Sequence, residues 1–195
     1  MAVNGKHGVS ATTPENILLG AGTIHKNLTW DSQSKAWKGD IIGATSGGNS
    51  VEIKGEIVDI ELDGALVKVK GLAVMQGGTG TMEVNFAEIS TDILKMGIIA
   101  EEGASDAEGY TMIQPKANIE EGDYVDGFAF VGKTANDKKD IIVIFESSLC
   151  TSGLKLEGKS KENSVIKLTM EAYAENDGNL DRLPVKIYYP ETVLA

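Results

Sequence analysis

Apolar and polar residues alternate with a period of two over much of the chain, the spacing of strands that lay one face on a core. Residues 81–87 set Met82, Val84 and Phe86 against Glu83 and Asn85. Residues 165–174 do the same with Ile166, Leu168, Met170 and Ala172 against Lys167, Thr169 and Glu171. Shorter apolar runs predict further strands over 17–24, 110–116, 125–132, 141–149 and 185–189, and residues 28–38 carry Trp30 and Trp37. Near residues 90–96 the period changes to that of a short helix. Ser90 can cap it, Asp92 sits in its first turn, Ile93, Leu94 and Met96 supply an apolar stripe, and Gly97 can close its end.

Residues 51–69 read as a long hairpin, because Asp63-Gly64 is a dipeptide that a type I′ turn favours. That turn predicts Leu62 opposite Ala65, Ile60 opposite Val67 and Val58 opposite Val69. On the other face it puts Asp59 opposite Lys68 and Glu61 opposite Leu66. Val51, Ile53 and Ile57 hold the opposite parity from Val58, Ile60 and Leu62, which predicts a bulge near Ile57. Residues 39–50 read as a flexible polar loop, Gly77, Gly78, Thr79 and Gly80 as a loose turn, and 101–108 as an acidic loop. Residues 1–16 read as an extended polar arm, leaving 17–195 as one domain. The predicted fold is mainly β, a β-sandwich or barrel-like body with one short α-helix.

Composition narrows the function. Eighteen basic against twenty-nine acidic residues leave a formal charge of −11, which argues against a surface built to grip phosphates. The single cysteine, Cys150, can make no disulfide within the chain and fits a reducing compartment. No apolar run approaches the roughly 18 residues of a membrane span, and residues 1–13 carry no signal-like apolar stretch. His7 and His25 are the only histidines, too few for a multi-histidine metal site and poorly placed for a triad. Residues 43–50 approach a P-loop in spacing, but Asn49 stands where the lysine belongs and a strand pattern follows. The acidic clusters at 101–102, 120–123 and 177–181 lack the calcium-loop pattern, and Asn27-Leu28-Thr29 is a sequon that matters only in a secreted chain. No catalytic, cofactor-binding or metal-binding residue is assigned, and a non-enzymatic protein is expected.

The order of elements carries a resemblance. An arm, a first strand reading ENILLGAGTIHKNL (15–28), a polar loop and hairpin, the helix ISTDILKMGI (89–98), and the strand ENSVIKLTMEAYAENDG (162–178) closed by LPVKIYYP (183–190) succeed one another. Together they resemble the major tail (tail-tube) proteins of long-tailed, non-contractile bacteriophages. The resemblance implies a tail-tube β-sandwich related to the tube proteins of contractile tails and type VI secretion. It implies hexameric rings stacked into a tube, assembled in the bacterial cytoplasm and carried in the virion tail. The tube would surround a tape-measure protein, meet tail-tip and terminator proteins, and pass DNA without binding it; no cofactor or membrane insertion is implied.

Within that frame Glu52, Glu56, Asp59, Glu61, Glu83 and Glu171 are candidate lumen carboxylates, chosen by strand alternation. Pro14, Glu15 and Asn16 in the arm, with Gly43, Ser46, Gly47, Gly48 and Asn49 in the loop, are candidates for contacts between stacked rings. Two other classes stay open. One is a carbohydrate- or receptor-binding β-sandwich using Trp30, Trp37, Tyr188 and Tyr189. The other is a lipocalin-like binder, disfavoured by the irregular strand rhythm.

Overall fold

The computed structural model describes residues 9, 13, 17–134, 140–158, 160, 163–176 and 178–190. Pro14, Glu15, Asn16 and His7 lie outside them. Among the described residues the strands in chain order are β1 Leu18–Asp31, β2 Ala36–Ile41, β3 Ser50–Asp59 and β4 Ala73–Phe86. The helix α1, Thr91–Ile98, follows, then β5 Ala100–Gly103, β6 Met112–Pro115, β7 Val125–Thr134, β8 Asp140–Cys150, β9 Ile166–Tyr173 and β10 Val185–Tyr188. β5 and β6 form their own pair; the rest make one sheet in the order β2-β1-β7-β8-β9-β4-β3, with β10 also bonded to β8. Every neighbouring pair is antiparallel.

The sheet curls. Trp37 on β2 and Tyr188 on β10 meet with ring centroids 4.7 Å apart. Across a flat sheet, the four strand spacings between β2 and β10 would hold them about 19 Å apart, at roughly 4.8 Å per step. The β2-β1-β7-β8-β10 part therefore bends back over a small core of Leu28, Ala129, Ile142 and Ile144, with Trp37 and Val131 packed on it. On the opposite face Ile24, Met82, Val84, Phe86, Phe128, Phe130, Phe145, Leu168 and Met170 form the main core, and Ile93 of α1 plugs it. The result is a mainly β, half-open body with one short helix.

β8 is the branch point. Its edge away from β7 is bonded first by β10, at Ile142 to Phe145, and then by β9, at Ser147 to Cys150. Val143 and Phe145 belong to the main core, and so does Cys150, so the inward parity slips by one between Phe145 and Cys150. Glu146 sits at the changeover. Its amide donates to Pro184 O at 2.9 Å, and its carboxylate accepts from Arg182 at 2.6 Å and pairs with Lys186 at 2.7 Å. Burial pushes that carboxyl up, but the bonds from Lys186 and Arg182 outweigh it and leave the group below its ordinary value.

Several sequence expectations hold. The face of β9 carrying Ile166, Leu168 and Met170 is buried. Ser90 Oγ caps α1 by accepting the Ile93 amide at 3.2 Å. The register of β3 on β4 shifts between Glu56 and Ile57, at the expected bulge, although the extra residue is Gln76 on β4.

Others are corrected. The strand expected over 17–24 runs on to Asp31, because Asn27, at φ 56, bulges β1 without ending it. The turn comes at Asp31, whose carboxylate accepts the Gln33 amide at 2.8 Å and the Ser34 hydroxyl at 2.8 Å. The 51–69 hairpin does not form in its expected register. Gly64 is at φ +86 while Asp63 is not at positive φ, so the bend lacks the type I′ conformation, and β3 pairs instead with β4 from Ser50↔Glu83 to Asp59↔Ala73. Gly77, Gly78, Thr79 and Gly80 lie inside β4, not in a turn. Glycine is needed there for close approach: a Cβ on Gly78 would meet Lys54 O at 2.7 Å, and one on Gly80 would meet Val185 Cγ2 at 2.8 Å. Gly97 lies within α1 against Leu168, and Ile99 in the left-handed region ends the helix. Glu101 and Glu102 belong to β5, not to a loop.

Candidate functional site

The path of the main sheet ends on β2 and β3, whose outer margins no described strand completes. β2 is bonded only to β1 and β3 only to β4. Each presents outward backbone donors and acceptors, which is a template for another chain.

Beyond the body, β3 and β4 continue as a two-stranded ribbon. β9 pairs with β4 only over Thr81 to Phe86, so residues 73–80 are bonded to β3 alone. Ile57 is 65% exposed, Met75 67%, and in the connecting loop Val67 77% and Leu66 99%. Val58, Ile60, Leu62, Val69 and Val74 are exposed beside them. A two-stranded ribbon is marginal in water and a contiguous apolar patch marks an interaction surface.

The lumen candidates divide. Thr81 pairs with Glu52 on one side and Glu171 on the other, while Glu83 pairs with Ser50 and Thr169. Their neighbours Met82, Val84 and Met170 face the core, so Glu52, Glu83 and Glu171 share the face turned away from it, and Glu56 follows Glu52 by alternation. Lys54 and Lys167 interrupt that face, and Lys167 pairs with Glu83 at 2.8 Å. Asp59 ends β3 and pairs with Lys68 at 2.5 Å, the contact expected from the hairpin although it is made from a loop. Glu61 lies past the end of β3 and is not a strand carboxylate.

Of the loop candidates, Asn49 and Ser46 are tied down. Asn49 Nδ2 donates to Ala21 O at 2.9 Å, its Oδ1 accepts the Asn85 amide at 3.2 Å, and Asn85 Nδ2 donates to Gly48 O at 2.6 Å. The Ser46 amide donates to Asn85 O at 2.9 Å. Gly47 and Gly48 take φ of +85 and +88 with open space where a side chain would stand, while Gly43 lies against Ile93. Residues 39–41, expected in this loop, belong to β2.

Trp30, Trp37 and Tyr188 come together from three strands. Trp30 and Trp37 meet edge to face at 5.3 Å, and Tyr188 continues the ladder. Trp30, Tyr188 and Tyr189 are exposed.

Sequence reasoning missed the Glu146 junction; the signal available was the polar triplet Glu146-Ser147-Ser148 inside an otherwise apolar run. His25 lies on β1 with Nε2 3.0 Å from Thr23 Oγ1 and Nδ1 enclosed without a partner. Cys150 is buried in the main core. Among the described residues no three His, Cys, Asp or Glu are grouped to hold a metal ion, and no helix is long and apolar enough to cross a membrane. No protein-family model matches the chain, and no curated protein sequence matches it.

Proposed function

We propose that this chain is a non-enzymatic structural subunit that polymerises through its open sheet margins into stacked hexameric rings, the tail tube of a long-tailed phage. The observation that carries the reading is the half-open sheet, with β2 and β3 incomplete at its margins and an apolar ribbon extending beyond its body. In a closed ring each margin is satisfied by the next subunit, so backbone hydrogen bonding and apolar burial act together. A stable contact needs about 1,000 Å² or more of buried surface, which the ribbon and the strand margins would have to supply together.

On this reading Glu52, Glu56, Glu83 and Glu171 line the conduit. Carboxylates repel DNA phosphates, and at physiological salt that field reaches only about 8 Å, so this face must stand close to the path of the genome. The loop carrying Gly43, Ser46, Gly47, Gly48 and Asn49 and the arm at Pro14, Glu15 and Asn16 bridge successive rings. Tape-measure, tail-tip and terminator proteins are the partners, and the virion tail is the location. Electron microscopy and light scattering of the purified protein over a concentration series test this. Rings or tubes are expected; a monodisperse monomer at every concentration, with and without tail-tip proteins, sinks it.

The ladder of Trp30, Trp37 and Tyr188 favours a second reading, a carbohydrate- or receptor-binding module. Exposed aromatic rings offer apolar faces to sugar rings. Saturable binding to a glycan panel that Trp30→Ala abolishes, in a protein that remains monomeric, would select it.

A further inference from the structure

A pocket of about 350 Å³ opens beside the β7-β8-β9 junction. One row across these strands sets Asp126 against Ser147 and Ser147 against Tyr173. In the adjacent row Val125 and Ala172 pack on the main core, so the row of Asp126, Ser147 and Tyr173 turns to the other face. Tyr124 meets Tyr173 edge to face at 5.4 Å, and Glu121, Glu175 and Asn176 complete the rim.

Three features point to what this pocket holds. First, among the described residues Glu121, Asp126 and Glu175 are all without an ion pair and no basic side chain lines the space. Lys116, the nearby cation in sequence, is already engaged by Glu120 at 2.7 Å and Asp123 at 2.8 Å. Second, Ser147 is 95% buried, being 5% exposed, yet its hydroxyl makes no hydrogen bond among the described residues and lines the pocket. The residue is enclosed but its hydroxyl opens to the pocket, where a ligand's donor or acceptor can reach it. Third, the carboxylates do not converge on a point where a metal ion would sit, and two tyrosine rings stand among them. Dispersed negative charge around aromatic rings suits a cation with an apolar stem and several N–H donors.

We propose that this pocket binds an organic cation, an alkylammonium or guanidinium group, between Asp126, Glu175 and the Tyr124-Tyr173 pair with Ser147 at its floor. The inference is independent of the tube reading. A free diamine and the lysine or arginine side chain of another protein share this chemistry.

Titrations of the full chain, followed by amide chemical shifts, test it with n-butylammonium, n-butylguanidinium, 1,4-diaminobutane, blocked lysine and arginine amides, the neutral n-pentanol, glucose and calcium chloride. Saturable shifts at Asp126, Ser147 and Tyr173 are expected with the cations, weakening about tenfold in Asp126→Asn and in Tyr173→Ala. Ser147→Ala weakens binding less. Tightest binding by the diamine assigns a free polyamine; tightest binding by the blocked amino acids assigns a protein side chain. Equal binding of n-pentanol or glucose, preferred binding of calcium, or the absence of saturable shifts at these residues overturns the proposal. Each variant's melting temperature is measured alongside, and Asp126→Asn, on the exposed rim, keeps the test valid should Tyr173→Ala fail to fold.

Discussion

The two halves of β4 have the same partner and different environments. From Thr81 to Glu83 the strand lies between β3 and β9, from Val84 to Phe86 it stays bonded to β9, and Met82, Val84 and Phe86 are wholly buried. From Ala73 to Thr79 it has β3 alone, and Val74 and Met75 face solvent. Backbone pairing is therefore continuous while hydrophobic burial stops midway. Removing apolar surface from water drives folding more strongly than pairing backbone groups that water would otherwise satisfy. The two halves should therefore differ sharply in stability and in what they are available to do.

The largest effect expected is in the body. Phe145→Ala removes a fully buried ring and should cost about 3–5 kcal/mol in urea unfolding, whereas Met75→Ala in the ribbon should stay within about 0.5 kcal/mol. A comparable cost at Met75 would mean that the ribbon is packed in the monomer. Glycines draw the same contrast. Gly127, at φ +55, has no room for a Cβ, which would lie 2.7 Å from Leu28 N; Gly64, at φ +86, has open space. Gly127→Ala should cost about 2–4 kcal/mol and Gly64→Ala about 1 kcal/mol, measured the same way.

Next in size comes an effect on assembly with none on folding. Replacing Ile57, Val74 and Met75 together by lysine should leave the monomer's melting temperature nearly unchanged and abolish rings or tubes seen by microscopy. Tubes that persist would move the interface to the margin at β2. In hydrogen exchange, amides of 57–59 and 73–75 should be roughly 100-fold or more less protected than those of β8. Equal protection would erase the distinction between the halves.

One half of this contrast is legible in the sequence. Period-two alternation identifies β9 and the buried half of β4, and the change of period after a capping serine identifies the helix, because burial on one face leaves a regular trace. It fails where chain geometry is set by distant contacts. The glycines of β4 read as a turn because their role, close approach to Lys54 O, Leu183 and Val185, is visible only once those groups are assembled. Asp63-Gly64 reads as a tight hairpin turn because local preference for that turn is strong, yet pairing with the core-anchored strand fixes a different register. Of the candidate site, the carboxylates at Glu52, Glu83 and Glu171 can be put on one face from parity. The aromatic ladder and the Glu146 junction depend on the curl of the sheet, and no local pattern encodes that.

The smallest effect expected is a pH dependence that belongs to the body and not to the ribbon. Burial of His25 lowers its pKa from 6.5, since the imidazolium would have to enclose a second N–H at Nδ1, where no acceptor stands. The unfolded chain then binds the proton more readily, so stability falls as pH drops below about 6.5 and levels off once the folded imidazole also protonates. Glu146 has the opposite charge type and the same sign of effect. Its pKa lies below 4.5, so the stability from Lys186 and Arg182 is present above that value and lost as pH falls through the folded value. Melting temperature against pH should thus fall in two steps on acidification. His25→Phe should remove the upper step, and Glu146→Gln should shrink the lower, to which the ion-paired carboxyls of Asp31, Asp92 and Asp123 also contribute. An upper step that survives His25→Phe would assign it to another group.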